Sequence, residues 1–241
     1  MPQNGNNCSF MLMSSPEIEL HISALIREME RQRNPTIALG MAAYLKNRFV
    51  CYGIKSPVRN AIQKAWFESL KRANLDRWDI VMNLYNLDQR EYHYVAIDYL
   101  NKTPKKEIQK DDYKALEELL TTHSWWDSVD SIASNYVGKY FQKFPEMIPE
   151  VIGRWKKSNN MWLNRTCLIF QLKYGADTNF DLLKKLIRMY QKNPEFFIQK
   201  AIGWSLRQYS KFNPEAVQAF IVEIELKGLA FREASKYLPW K

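Results

Sequence analysis

The sequence predicts an all-α protein made of short helices repeated in series. Three observations lead there. Glycine supplies only 8 of 241 residues, well below the ~7% usual in folded proteins, which argues against a turn-rich sandwich or barrel. Apolar residues recur at helical spacing along the chain, and no convincing stretch alternates with period two. A self-similar unit returns after ~35 residues, a length that accommodates two helices and their turns.

The elements follow from caps and breakers. Residues 1–15 are polar and read as a flexible leader, and 16–241 reads as one domain. Ser15-Pro16-Glu17 opens the first helix, with Pro in the favoured first turn. Its stripe is Ile18, Ile22, Leu25, Ile26 and Met29, and Asn34-Pro35 breaks it. A second helix runs from about Thr36 to Arg48 and carries Tyr44 late on it. Cys51-Tyr52-Gly53-Ile54-Lys55 is a turn, and Ser56-Pro57 starts the third helix. Leu75 to Leu84 and the aromatic stretch Glu91 to Leu100 follow. After a basic loop at Thr103-Pro104-Lys105-Lys106, Asp111 to Leu120 is helical. Ser124 is read as the N-cap of a helix, with Asp127 close to a capping box. Another helix spans Phe144 to about Lys157, and later ones fall near 160–174, 179–191, 194–210, 214–225 and 229–237.

Composition bounds the function. Hydrophobic residues at 46% and aromatics at 14% exclude a disordered chain. Lys+Arg exceed Asp+Glu by 35 to 26, a net charge of +9. That balance points to a polyanion, nucleic acid first, although an ordinary basic protein has the same charge. Cys8, Cys51 and Cys167 are odd in number and form no CxxC pair, so no disulfide framework or zinc site is supported and a cytoplasmic setting is expected. No membrane-spanning run is present.

The repeat carries the chemistry. Met161-Trp162-Leu163-Asn164-Arg165-Thr166-Cys167 is matched thirty-five residues later by Phe196-Phe197-Ile198-Gln199-Lys200-Ala201-Ile202, and Tyr174 and Tyr209 close the two units. The same step backwards takes Arg165 to Asp130 and Met161 to Trp126. Such a period matches helical solenoids of the tetratricopeptide or HEAT kind, in which equivalent positions line up along one surface. Asp130, Arg165 and Lys200 should then form a row, flanked by Trp126, Met161 and Phe196 on one side and by Ile169 and Trp204 on the other. Trp126 and Asp130 stand at i and i+4 of one helix, and an indole beside a carboxylate attracts a planar cation or a sugar carrying positive charge. Core packing explains two adjacent tryptophans equally well, and an interhelix salt bridge explains Asp130 opposite Arg165. Lys46, Arg48, Lys55, Arg59, Lys105, Lys106, Lys173, Arg207 and Lys211 are candidate phosphate contacts or plain solvated charges.

Ser124-Trp125-Trp126-Asp127-Ser128-Val129-Asp130, Trp162-Leu163-Asn164-Arg165, Phe170-Gln171-Leu172-Lys173-Tyr174 and Phe196-Phe197-Ile198-Gln199-Lys200-Ala201-Ile202-Gly203-Trp204 together resemble the AlkD-type alkylpurine DNA glycosylases. The likeness extends from about Pro35 to Arg232. It implies a right-handed α-solenoid of HEAT-like repeats with a concave DNA-binding groove. It also implies hydrolysis of the N-glycosidic bond of N3- and N7-alkylated purines in duplex DNA, with no need to flip the base into a pocket and no metal or cofactor. By that resemblance Asp130 is the catalytic acid, Trp126 and Trp204 are the active-site tryptophans, and Arg165 contacts the DNA backbone near the lesion. Tyr44 and the Lys55-Ser56 turn match positions near DNA; Lys55 departs from the Gln usual there. Lys173, Lys200 and Arg207 complete the expected DNA contacts, and a monomer is expected. Two other readings of the residues remain: a non-catalytic helical-repeat module binding DNA or RNA through a basic face, and a protein-interaction solenoid with the tryptophan row as a peptide anchor.

Overall fold

The computed structural model describes residues 15–239; apart from Ser15, the leader expected over 1–15 lies outside the described residues. Among the described residues every regular element is helical, and β pairing is limited to an isolated bridge between Val50 and Gln89. No helix among them is long and apolar enough to cross a membrane. The chain divides into two compact units, Met1–Leu100 and Asn101–Lys241.

The N-terminal unit contains α1 (Pro16–Arg31), α2 (Pro35–Tyr44), α3 (Ser56–Leu70), α4 (Arg77–Tyr85) and α5 (Arg90–Asn101). The Ser15 hydroxyl accepts from the Ile18 N–H at 3.3 Å and caps α1. Ile18, Leu25 and Met29 bury the stripe read from the sequence, and α1 packs on α3 and α4. The α2 helix stops at Tyr44, four residues short of the expected Arg48. The reason is local: Lys46 and Asn47 adopt left-handed backbone at φ 59° and 55°, which terminates the helix. The following turn is built around a buried carboxylate. The N–H groups of Tyr52, Gly53 and Ile54 all donate to Glu91, at 3.0, 2.9 and 3.1 Å. Gly53 sits at φ 86°, where a Cβ would lie 2.1 Å from the Asn34 carbonyl oxygen, so only glycine fits. This turn delivers Lys55 to the N-cap position of α3 and Ser56 to its first residue.

The C-terminal unit contains α6 (Asp112–Thr121), α7 (Trp126–Ile132), α8 (Gly138–Lys143), α9 (Ile148–Trp155), α10 (Met161–Ile169), α11 (Phe180–Tyr190), α12 (Phe196–Tyr209), α13 (Pro214–Glu223) and α14 (Gly228–Ala234). The basic loop expected at 103–106 runs into a short 3-10 turn, Lys105–Glu107. The helix expected from Phe144 to Lys157 is a 3-10 turn, Pro145–Met147, followed by α9. Pro149 has no N–H to continue a helix begun before it, so α9 starts afresh with proline in its first turn. The α10 helix also ends earlier than expected, at Ile169.

The repeat appears in the structure as a set of side-chain ties. The Tyr174 hydroxyl donates to the Gly138 carbonyl and the Tyr190 hydroxyl to the Lys156 carbonyl, both at 2.7 Å and spanning 36 and 34 residues. The Trp155 indole donates to Glu117 across 38 residues. Within the N-terminal unit, Gln63 donates to Asp98 across 35. Each tie joins a helix to its counterpart about one ~35-residue repeat away, and the fold is an α-solenoid of helical repeats.

Candidate active site

The site begins where α6 ends. His123 takes left-handed backbone at φ 46°, and the Ser124 hydroxyl donates to the Leu120 carbonyl at 2.7 Å. Ser124 therefore closes α6 and does not cap α7, in contrast to the sequence expectation. The N-cap is Trp125, whose N–H donates to the Ser128 hydroxyl at 3.3 Å, and Asp127 falls in the first turn of α7. This shift separates the two tryptophans. Trp125 is buried edge-to-face against Trp162 and Phe197, with ring centres 5.7 and 5.2 Å apart. Trp126 instead lines an open cavity of about 390 Å³, and Asp130, one turn later, lines it too. Core packing and site are thus both present, on adjacent residues. Directly after α7 the chain makes a π-helical turn, Ala133–Val137, a distortion common near functional groups.

Asp130 meets Arg165 from α10. Arg165 Nε donates to Oδ1 at 2.7 Å and Nη2 to Oδ2 at 2.8 Å, while Nη1 donates to the Phe197 carbonyl. All three guanidinium nitrogens are therefore engaged inside the protein. The Arg165 side chain is 4% exposed and that of Asp130 is 16% exposed, so the carboxylate keeps an edge on the cavity. Burial raises the Asp130 pKa above its ordinary value; the hydrogen bonds and charge of Arg165 oppose that rise, and nearby Asp127 adds to it.

The third wall is α12. Phe196, Lys200 and Trp204 stand four residues apart on one stripe, with Arg207 just beyond, and all four line the cavity together with Phe197. The fourth wall is Glu233 from α14. Lys200 Nζ donates to Glu233 Oε1 at 2.8 Å, and Arg207 Nη1 donates to Oε2. The hydrogen bond from Lys200, helped by Arg207, holds the Glu233 carboxyl below its ordinary pKa. Gly203 makes this wall possible. A Cβ there would lie 2.4 Å from the Glu233 Cβ and 2.8 Å from the Ala230 carbonyl oxygen, so only glycine lets α14 approach α12 this closely.

One cavity thus gathers Trp126, Asp130, Arg165, Lys200, Trp204 and Arg207. Met161 and Ile169, placed on the flanks of the same row by spacing, do not line it, and Ile169 is fully buried. Lys173 does not line it either; its ammonium donates to Asn135 Oδ1. Tyr44 and Lys55 belong to the N-terminal unit. There they line a separate apolar hollow of about 400 Å³ with Ile37, Gly40, Met41, Leu45 and Tyr94, and Ser56 is exposed beside Lys55. Sequence reasoning missed Phe197 and Glu233 as cavity residues. The 35-residue step from Lys200 lands on Ser235, so the repeat gave no signal for Glu233. Among the described residues no cluster of three or more His, Cys, Asp or Glu side chains is placed to hold a metal ion.

The model of the DNA alkylation repair enzyme family matches residues 25–238. A solved structure, named as a predicted DNA alkylation repair enzyme from Enterococcus faecalis, superposes with a TM-score of 0.80 at 37% identity. The match covers 87% of this chain and 98% of that one. A search of curated proteins finds no match. The family match spans the whole cavity, from Trp126 to Glu233, and the chain belongs to the DNA alkylation repair enzyme family.

Proposed function

We propose that the chain is a monofunctional DNA glycosylase. Its substrates are cationic N3- and N7-alkylated purines, such as 3-methyladenine and 7-methylguanine, in duplex DNA, and the base is not flipped into a pocket. One observation carries the reading: a largely buried carboxylate, Asp130, presents an edge to a cavity it shares with two indoles, Trp126 and Trp204, in a chain of this family.

An alkylated purine already carries a formal positive charge and departs as a neutral base when the glycosidic electron pair moves onto it. No strong general acid is needed. The positive charge develops on the deoxyribose, as an oxocarbenium-like cation. A carboxylate about 4 Å away stabilises such a cation by roughly 4 kcal/mol at an effective dielectric near 20, or about three orders of magnitude in rate. Arg165, bonded to the far side of Asp130, offsets part of that charge, so the figure is an upper bound. In exchange the two-point grip fixes the direction of the carboxylate. Asp130 also suits the orientation of the water that attacks the sugar and the acceptance of its proton. Trp126 and Trp204 flank the sugar and lesion, each contributing ~0.5–2 kcal/mol by cation–π contact.

In this reading Lys200 and Arg207 meet the DNA around the lesion nucleotide, and a phosphate seated in the cavity shares the Arg165 guanidinium with Asp130. Tyr44, Lys55, Ser56 and Lys173 hold the duplex through its backbone. The residues named call for no metal or cofactor in this chemistry.

The test is release of free 7-methylguanine from modified duplex by the wild type and by Asp130→Asn. Release by the wild type with a loss of about a hundredfold or more in the variant supports the mechanism. Equal release removes Asp130 from its role. The closed Asp130–Arg165 pair also suits a non-catalytic DNA-binding module, and absence of release above the spontaneous rate at saturating protein would favour that reading.

A further inference from the structure

We propose that Glu233 is a specificity-determining residue of the cavity: its carboxylate withholds Lys200 and Arg207 from the phosphates of undamaged duplex and leaves the cavity receptive to a cationic nucleotide. The second half rests on the glycosylase reading; the first concerns binding of intact DNA and is tested without it.

Three observations carry the inference. Both Glu233 oxygens are engaged, Oε1 by Lys200 at 2.8 Å and Oε2 by Arg207. The Lys200 and Arg207 side chains are 38% and 21% exposed, so an incoming phosphate can reach them only in competition with a carboxylate already in contact. Cations held in this way release few counterions on binding DNA, which removes their share of the non-specific affinity.

The second observation is the charge balance of the cavity wall. Asp130 and Glu233 face Arg165, Lys200 and Arg207, two negative charges against three positive. Without Glu233 the wall would hold one carboxylate against three cations. It would then attract the DNA backbone and repel a positively charged base or sugar. A second carboxylate moves both preferences in the direction that damage recognition requires. The low pKa of Glu233 agrees, since the group stays ionised near neutrality.

The third is the cost of placing it there. Glycine inside a helix is disfavoured relative to alanine, yet α12 carries Gly203 where the Glu233 Cβ approaches most closely. A surface ion pair would need no such approach.

The experiment compares wild type, Glu233→Gln and a control, Glu223→Gln. Glu223 pairs with Arg188, is not among the cavity-lining residues, and its substitution makes the same change in net charge. Binding of undamaged duplex is measured across a salt series, and single-turnover release of 7-methylguanine is measured on damaged duplex. For Glu233→Gln the expected result is intact-duplex binding about tenfold tighter, with a salt slope steeper by about one to two, and release slower by about tenfold. The control should stay within about twofold of wild type on both measures. A folded Glu233→Gln protein with unchanged or weaker binding of intact duplex would overturn the proposal. So would a control that shifts as far as the variant. If the amide variant does not fold, Glu233→Ala replaces it, because truncation removes the carboxylate and keeps the Cβ that packs beside Gly203. Failure of the wild type to release base would sink the glycosylase reading, and the binding comparison would still decide the first half.

Discussion

Arg165 holds Asp130 by two parallel hydrogen bonds, 2.7 and 2.8 Å long, across 35 residues of sequence. Equivalent positions of consecutive repeats therefore meet as an acid and a base, with a second cation, Lys200, lining the same cavity. The pair sets the titration of the carboxylate, which burial alone would push further up.

The pH dependence of base release follows. The Asp130 pKa is raised in the folded protein, and the proposed mechanism uses the ionised form, so release should fall as pH falls through that raised value. Arg165 lowers it and Asp127 raises it. Arg165→Met should therefore move the acid limb to higher pH, and Asp127→Asn should move it lower. Single-turnover rates across the acid range check both, and an unmoved limb in Arg165→Met would separate Asp130 from the titration. The same shift makes ionisation of Asp130 slightly unfavourable for folding. Its contribution is lost as pH rises from the unfolded carboxylate value through the folded one.

Breaking the pair from the cation side should be costly. Arg165→Ala leaves a largely buried carboxylate without its partner and is expected to lose about 3–5 kcal/mol. Asp130→Asn keeps an oxygen that accepts from Arg165 and should lose less. Urea denaturation of the two variants gives the comparison.

The adjacent tryptophans should part ways. Trp125 is packed against Trp162 and Phe197, so Trp125→Ala should cost about 3–5 kcal/mol of stability. Trp126 lines the cavity. Trp126→Ala should slow base release by about tenfold while changing the melting temperature much less. Equal thermal losses in both would contradict the division.

Two glycines in helices should respond to alanine with opposite sign. Gly203→Ala places a methyl against Glu233 and Ala230 and should destabilise by about 1–3 kcal/mol. Gly153, within α9, has no neighbouring atom within 4 Å of where an alanine methyl would stand. Gly153→Ala should stabilise by about 0.5–1 kcal/mol. Thermal melts read both.

Glu91 accepts from three consecutive N–H groups of the turn that leads to Lys55. Glu91→Ala should cost about 3 kcal/mol or more, since buried donors lose a charged acceptor, and Glu91→Gln should fall between. Chemical denaturation of the two variants tests the order.

Helix existence was legible in the sequence because it rests on apolar stripes such as Ile18, Leu25 and Met29, which bury as read. Several ends were not. They turn on single backbone conformations, left-handed at Lys46, Asn47 and His123, that no stripe encodes. The row Asp130, Arg165, Lys200 was legible because the three residues keep the 35-residue step of the repeat, and they line one cavity. How Arg165 distributes its donors was not, since one goes to a backbone carbonyl, that of Phe197, which any residue type could supply. Glu233 escaped because it departs from the cation pattern, and its approach depends on a glycine in a neighbouring helix. The assignment of Asp130 and the tryptophans to catalysis rests on resemblance, and the base-release experiment decides it.

The ties one repeat apart give the cavity a sequence of assembly. Asp130 to Arg165 joins α7 to α10, the Arg165 bond to the Phe197 carbonyl joins α10 to α12, and Lys200 to Glu233 joins α12 to α14. The walls are links of a chain, each closed only by its neighbour. Fraying from the C-terminal end would open the last link first. On the proposed reading, the Asp130–Arg165 pair would then outlast Glu233, and a protein beginning to unravel would lose its discrimination before its chemistry.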